Sequence, residues 1–297
     1  MADSKLFDDD FLGRLQRLGL IAKRLPAASS AVGQRRSRRL GDGMEFADHR
    51  AYSPGDDLRF LDWPYYARME RLLLRLFHEH SEGAVTLLLD CSRSMGLGEV
   101  CKFDYARRTA AALAYVAMAG LDKVNILPFA ETLAQPLRTG RDRARIVQVL
   151  EFLETLAAAG RTNLRSAVDA FLRRQDDTGT VILISDLLET EDDLSDCLAE
   201  LRQRKNFAMA LHVIDRCDAQ PALTQAIQLE SVETRRRLDV VAGEAVLASY
   251  AQRWQEFVRG LEKTCLARGA VYLPAPTSLP FDRLVLRTLQ AAGALQF

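Results

Sequence analysis

Long apolar runs are missing from this 297-residue chain, and none approaches the roughly 20 residues a helix needs to cross a bilayer. The first residues, MADSKLFDDD, are acidic rather than basic, so no secretory leader is expected. Cysteine is sparse: Cys91, Cys101, Cys197, Cys217 and Cys265 are odd in number, scattered, and form no C-x-x-C pair. That pattern excludes a disulfide framework and a cysteine-ligated zinc, and it fits a reducing compartment. A cytoplasmic protein is therefore expected. Charge imbalance is absent as well, with 40 Lys and Arg against 40 Asp and Glu, so no nucleic-acid partner is expected. Neither a G-x-x-x-x-G-K-[ST] nor a G-x-G-x-x-G loop occurs, which removes the common phosphate cradles. Internal repeats and low-complexity tracts are lacking too.

What is present is enough hydrophobic sequence, 48%, for a substantial core. Residues 9–25 place Phe11, Leu15, Leu18, Ala22 and Leu25 at alternating steps of four and three, one apolar face of a helix. Asp8–Asp10 lie at its start and Lys23 and Arg24 at its end, as the helix dipole prefers. That face reads as a docking surface for the rest of the chain. Residues 11–41 carry eight basic side chains (Arg14, Arg17, Lys23, Arg24, Arg35, Arg36, Arg38, Arg39) and no acidic one. A solvated basic face is one reading, and contact with an anionic surface, whether membrane, nucleic acid or an acidic protein patch, is the other, a peripheral membrane contact among them.

From Val85 onward, apolar runs (Val85–Leu89, Val124–Phe129, Val181–Ser185, Phe207–Ile214, Ala270–Leu273) alternate with helical patterns near 102–119, 141–157, 164–175, 191–205, 246–267 and 281–291. Continuous apolar runs suit strands covered by helices on both faces. The expected fold is α/β, a doubly wound, mostly parallel sheet, with a short antiparallel edge strand at 131–138 and a hairpin insert near 226–240. Residues 1–81 are expected to form an N-terminal helix, a basic connector and a small β-containing segment, and 82–297 the α/β domain.

In a doubly wound sheet of order 3-2-1-4-5-6, ligands bind where the winding reverses, between the first and fourth strands. Asp90 ends the first of these runs, VTLLLD, and Asp186 ends the third, VILISD, which becomes the fourth strand once the short edge strand is counted. The two carboxylates are expected to face one another across the crevice. Ser92 and Ser94 follow Asp90 in C-S-R-S, and Thr162 in AGRTNL lies ahead of the next helix. Such an all-oxygen set suits a hard divalent cation: Mg²⁺, or Mn²⁺ or Ca²⁺ in its place. Neutral hydroxyls leave the ion electrophilic and open to a further carboxylate. An ordinary polar turn is the plainer reading of D-x-S-x-S alone.

This set resembles the metal-ion-dependent adhesion site of von Willebrand factor A domains, D-x-S-x-S…T…D, with Asp90, Ser92, Ser94, Thr162 and Asp186 in the matching places. Arg161 departs from it, standing where glycine is common. A second resemblance lies upstream. Residues 41–68 contain Arg50, Tyr52, Asp56, Asp57, Arg59, Asp62, Trp63 and Arg68, in the pattern R-x-Y-x-x-G-D-D-x-R-x-x-D-W-x-x-x-A-R. It is similar to the signature of family 58 among bacterial domains of unknown function, in which this segment precedes a von Willebrand A-like domain. Pro64 departs from that pattern. The opposite charges suggest interlocking ion pairs around Trp63, an ordered platform.

The resemblance implies a non-enzymatic, metal-dependent adaptor that captures an acidic side chain of a protein partner. It also implies that a MoxR-type AAA+ ATPase is that partner, in chaperone-like complex maturation. The alternative is a metal-dependent phosphohydrolase using Asp90 and Asp186. Against it, an aspartyl nucleophile would want a second aspartate two residues on, where Ser92 stands.

Overall fold

A computed structural model of the protein describes residues 6–22, 36–41, 45–80, 84–120, 122–131, 134–140, 143–173, 178–188, 190–221, 226–232, 235–241 and 243–294. The chain divides into two compact units, residues 34–82 and residues 1–33 with 83–297. The first helix, α1 (Asp9–Ala22), starts where the Asp8 carboxylate accepts the Phe11 amide at 2.7 Å. It is grouped with the larger unit, whereas the sequence reading joined it to the segment that follows.

The smaller unit is a three-stranded antiparallel sheet of β1 (Arg36–Gly41), β2 (Glu45–Ala51) and β3 (Leu73–His80), with β3 in the middle. Between β2 and β3 a helix, α2 (Trp63–Met69), begins at Asp62, whose side chain accepts the Tyr65 amide at 2.9 Å. Pro64 falls in the first turn of α2, where a missing N–H costs nothing. Two pairs form within the charged signature, Asp56 with Arg50 at 2.7 Å and Asp57 with Arg59 at 2.6 Å, whereas Asp62 meets His49, outside it, at 2.8 Å and Arg68 donates to the Pro64 carbonyl at 3.1 Å. They do not enclose Trp63, which is 58% exposed and meets Tyr66 edge-on. The indole sits at the outer start of α2, while Leu61 and Leu74 fill the interior.

In the larger unit β4 (Ala84–Asp90) leads into α3 (Lys102–Ala119), then β5 (Lys123–Phe129), β6 (Leu137–Thr139), α4 (Ile146–Thr155), α5 (Leu164–Arg173), β7 (Gly179–Ser185), α6 (Glu191–Gln203) and β8 (Phe207–Ile214). There follow a one-turn α7 (Arg216–Ala219), a separate antiparallel hairpin of β9 (Ala226–Glu230) and β10 (Arg237–Val241), α8 (Glu244–Ala267), β11 (Val271–Pro276) and α9 (Phe281–Ala294). The six-stranded sheet runs β11-β8-β7-β4-β5-β6, parallel throughout except for β6. This is the order 3-2-1-4-5-6 with the reversal between β4 and β7. The edge strand is shorter than expected, occupying 137–139 rather than 131–138.

Each strand feeds both faces by alternation. Val85, Leu87, Leu89, Ile182, Ile184, Met209 and Leu211 pack with Ala110, Leu113, Leu153 and Val285 of α3, α4 and α9. Leu88, Leu127, Val181, Leu183 and Ala210 meet Leu164, Leu198 and Leu261 of α5, α6 and α8 on the other face. Helix α1 extends the first of these layers. Phe11, Leu15 and Leu18 are buried, the Phe11 and Phe281 rings lie 4.7 Å apart, and Arg14 pairs with Asp282 at 2.5 Å. Arg14 is thus engaged inside the fold rather than on a basic surface. Lys23, Arg24, Leu25 and Arg35 lie outside the described residues.

Candidate metal centre

Strand β4 delivers Asp90 to the crest of the sheet, where it is fully buried. One carboxylate oxygen accepts the Ser92 amide at 2.9 Å and the other accepts the Ser185 hydroxyl at 2.6 Å. Ser92 precedes a 3₁₀ turn, Arg93–Gly96, that folds the chain back so that the buried Ser92 and Ser94 hydroxyls lie 3.0 Å apart. Burial, followed by the neighbouring Asp186 charge, pushes the Asp90 carboxyl up to about 7 against the pull of Ser185 and Ser92.

Asp186 follows β7 directly and is buried. Leu187, next in the chain, is buried with φ at 54°, a conformation a branched side chain rarely adopts. This sharp turn brings the Leu188 amide to Asp186 Oδ1 at 3.2 Å. The other oxygen accepts Lys102 Nζ at 2.9 Å. Lys102 opens α3 with a side chain 1% exposed, and its ammonium also lies 3.2 Å from Asp218 on α7. Desolvation works most strongly against its charge, yet Asp186 and Asp218 together hold the Lys102 pKa above the ordinary lysine value.

Asp215 braces this crest. It is buried at the end of β8 and accepts the Glu99 amide at 2.9 Å, the Cys217 amide at 3.1 Å and the Thr277 hydroxyl at 2.7 Å. Those hydrogen bonds hold its carboxyl well below the usual range despite burial. With Asp218 it forms a reciprocal capping box on α7, and so fixes the carboxylate that Lys102 meets.

Asp90, Ser92, Ser94 and Asp186 therefore gather at one place, around the predicted reversal. Thr162 lies half-buried on the loop between α4 and α5. That loop is tied to the serine turn by Ala159 N to Cys91 O at 2.7 Å and Arg93 N to Gly160 O at 3.1 Å. Arg161 beside it is exposed. Sequence reasoning missed Lys102 and Asp218. The D-R-C-D spacing of Asp215 and Asp218 carried a capping-box signal. Lys102 was signalled only by its oddity, a cation at a helix N-terminus, where the backbone field opposes it.

The donors suit a small hard cation on two grounds. All are oxygens, two of them neutral hydroxyls in contact, which fits Mg²⁺ or Mn²⁺ rather than a soft metal. Moreover, Lys102 neutralises only one side of the crevice. The Asp90 carboxylate accepts from neutral donors, the Ser92 amide and the Ser185 hydroxyl, and a cation beside it would relieve its repulsion with Asp186.

Fold and crevice together define a class: a doubly wound α/β domain with a buried oxygen-lined crest at the reversal of its sheet. More particularly, the chain belongs to the family described as "Protein of unknown function DUF58", whose match spans residues 48–256. It is 31% identical over 153 residues to "Uncharacterized protein Rv1480" of Mycobacterium tuberculosis and to "Uncharacterized protein Mb1516" of Mycobacterium bovis, covering 50% of this chain and 48% of each relative. The chain thus spans about half the length of these curated relatives. Among solved structures it is similar to BatB from Bacteroides thetaiotaomicron, at 15% identity and a TM-score of 0.44, covering 71% of this chain and 98% of that one. It is also similar to a von Willebrand factor type A protein from Catenulispora acidiphila, at 17% identity and 0.34, covering 64% and 44%. Among the described residues no helix is long and apolar enough to cross a membrane.

Proposed function

We propose that this protein is a non-enzymatic adaptor that binds an acidic segment of a protein partner through a divalent cation held by Asp90, Ser92, Ser94, Thr162 and Asp186. Mg²⁺ is the ion proposed, with Mn²⁺ or Ca²⁺ able to replace it. The observation that supports this reading is the buried Asp90 carboxylate beside two serine hydroxyls 3.0 Å apart. Few protein charges would surround an ion there, so it would keep affinity for a further carboxylate. The resemblance of residues 41–68 to the family signature supplies the proposed partner, a MoxR-type AAA+ ATPase, and the proposed role, chaperone-like maturation of a complex.

Asp90→Asn tests the site, because the amide resembles the protonated carboxyl that burial favours and should leave the fold intact. Mn²⁺ titration followed by electron paramagnetic resonance should show binding to the wild type, weakened by about a hundredfold or more in the variant. Equal affinity of the two proteins would remove Asp90 from the site. Recovery of the ATPase from host lysate by the wild type with Mg²⁺, and by neither the variant nor the chelator-treated protein, would establish the bridge. Equal recovery under all conditions would place binding elsewhere.

A further inference from the structure

Lys102 is the one lysine or arginine among the described residues that is fully buried. Its position is electrostatically adverse twice over. It has left water, and it stands at the first residue of the 18-residue helix α3, at the positive end of the backbone dipole. A cation is retained in such a place only where carboxylates compensate it. Here they do, and with selectivity. The ammonium takes Asp186 Oδ2 at 2.9 Å and Asp218 at 3.2 Å, while Asp90 accepts from the Ser92 amide and the Ser185 hydroxyl. Asp186 Oδ1 is occupied by the Leu188 amide. The two aspartates at the reversal are thus unequal: one is already paired with a cation of the chain itself, and the other is not.

We propose that Lys102 is a built-in counter-cation that competes for Asp186, so that an incoming divalent ion shares that carboxylate with the ammonium, leans more on Asp90 and the hydroxyls, and is kept weakly bound and electrophilic. This rests on the metal-dependent reading of the crevice and deepens it. Lys102 would be a positioning residue, setting affinity without touching the ion. Two positive charges a few ångströms apart repel strongly in a buried crevice. Removing the ammonium would both end that repulsion and leave the Asp186 carboxylate wholly to the ion. A divalent cation would then bind more tightly and would retain less of its attraction for an acidic partner.

The test is Mn²⁺ titration of the wild type, Lys102→Met, Lys102→Gln and Asp90→Asn, with thermal melts of each in Mn²⁺ and in chelator. Both Lys102 variants should bind Mn²⁺ about tenfold or more tightly than the wild type. Their melting temperature should also rise with Mn²⁺ more than that of the wild type. The glutamine retains an N–H donor between the two carboxylates, so a purely hydrogen-bonding role would leave its affinity unchanged and would overturn the proposal. If the methionine variant folds only when Mn²⁺ is supplied, the ion has replaced the ammonium and the proposal stands. If it fails to fold with or without Mn²⁺, Lys102 is a structural cross-link and the proposal falls. Failure of the underlying reading looks different: the wild type would bind no Mn²⁺, or Asp90→Asn would bind it as well as the wild type.

Discussion

Asp90, Ser92, Ser94 and Asp186 were legible because each sits at a place the strand pattern defines. Lys102 was not, because its one local oddity, a cation at a helix N-terminus, does not reveal partners that lie 84 and 116 residues further along the chain. The same contrast between local signal and tertiary environment governs the cysteines. Composition established that they form no framework, and burial now divides them. Cys91 and Cys197 are pushed up to about 12 and Cys265 to about 11, in each case first by desolvation. Cys101 is half-buried and Cys217 exposed. Thiolate is the reactive form, so buried thiols of raised pKa are inert. Alkylation of the native protein at pH 8 should therefore modify Cys101 and Cys217, and all five only after denaturation. Rapid modification of Cys91 in the native state would show that the serine turn opens readily.

The helices and strands of the larger unit follow the periodicity of the sequence closely, since each needs only to cover an apolar face. The edge strand was misplaced because it is three residues long and is defined by pairing with β5 rather than by its own pattern. The one-turn α7 was missed for a like reason: it exists to hold Asp215 and Asp218. Helix α1 was read as a docking element, and its packing gives that reading a partner. Phe11 is 2% exposed against Phe281, and a side chain at Gly19 would come within 2.6 Å of the Tyr115 ring. Phe11→Ala should destabilise the larger unit by about 3–5 kcal/mol, the usual cost of an aromatic deleted from a core. A loss below about 1 kcal/mol in urea denaturation would mean that α1 contributes little to that core.

At the scale of the molecule, stability is a balance of large opposing contributions, and two buried groups make it depend on pH in opposite senses. His212 lies on β8 beside Ser185 in register, with its ring 2.6 Å from the Tyr272 hydroxyl and among Trp254 and Phe257. Desolvation first, and the Lys102 charge after it, push His212 down to about 4, with Asp186 pulling the other way. The unfolded chain therefore takes up a proton below about pH 6.5 that the folded chain refuses, so this group lowers stability as pH falls from about 6.5 to 4. Asp90, raised to about 7, does the reverse: the folded state holds its proton down to the ordinary aspartate range, so stability rises as pH falls through that window. In chelator the wild type should consequently show a shallow net dependence between pH 7 and 5. His212→Phe removes one arm of the balance. Relative to the wild type it should gain about 2 kcal/mol on going from pH 7 to pH 5, measured as the difference between urea denaturation curves of the two proteins at each pH. Parallel curves for the two proteins would mean that the imidazole takes up its proton in the folded state over the same range as in the unfolded chain, so that Asp186 offsets burial in full.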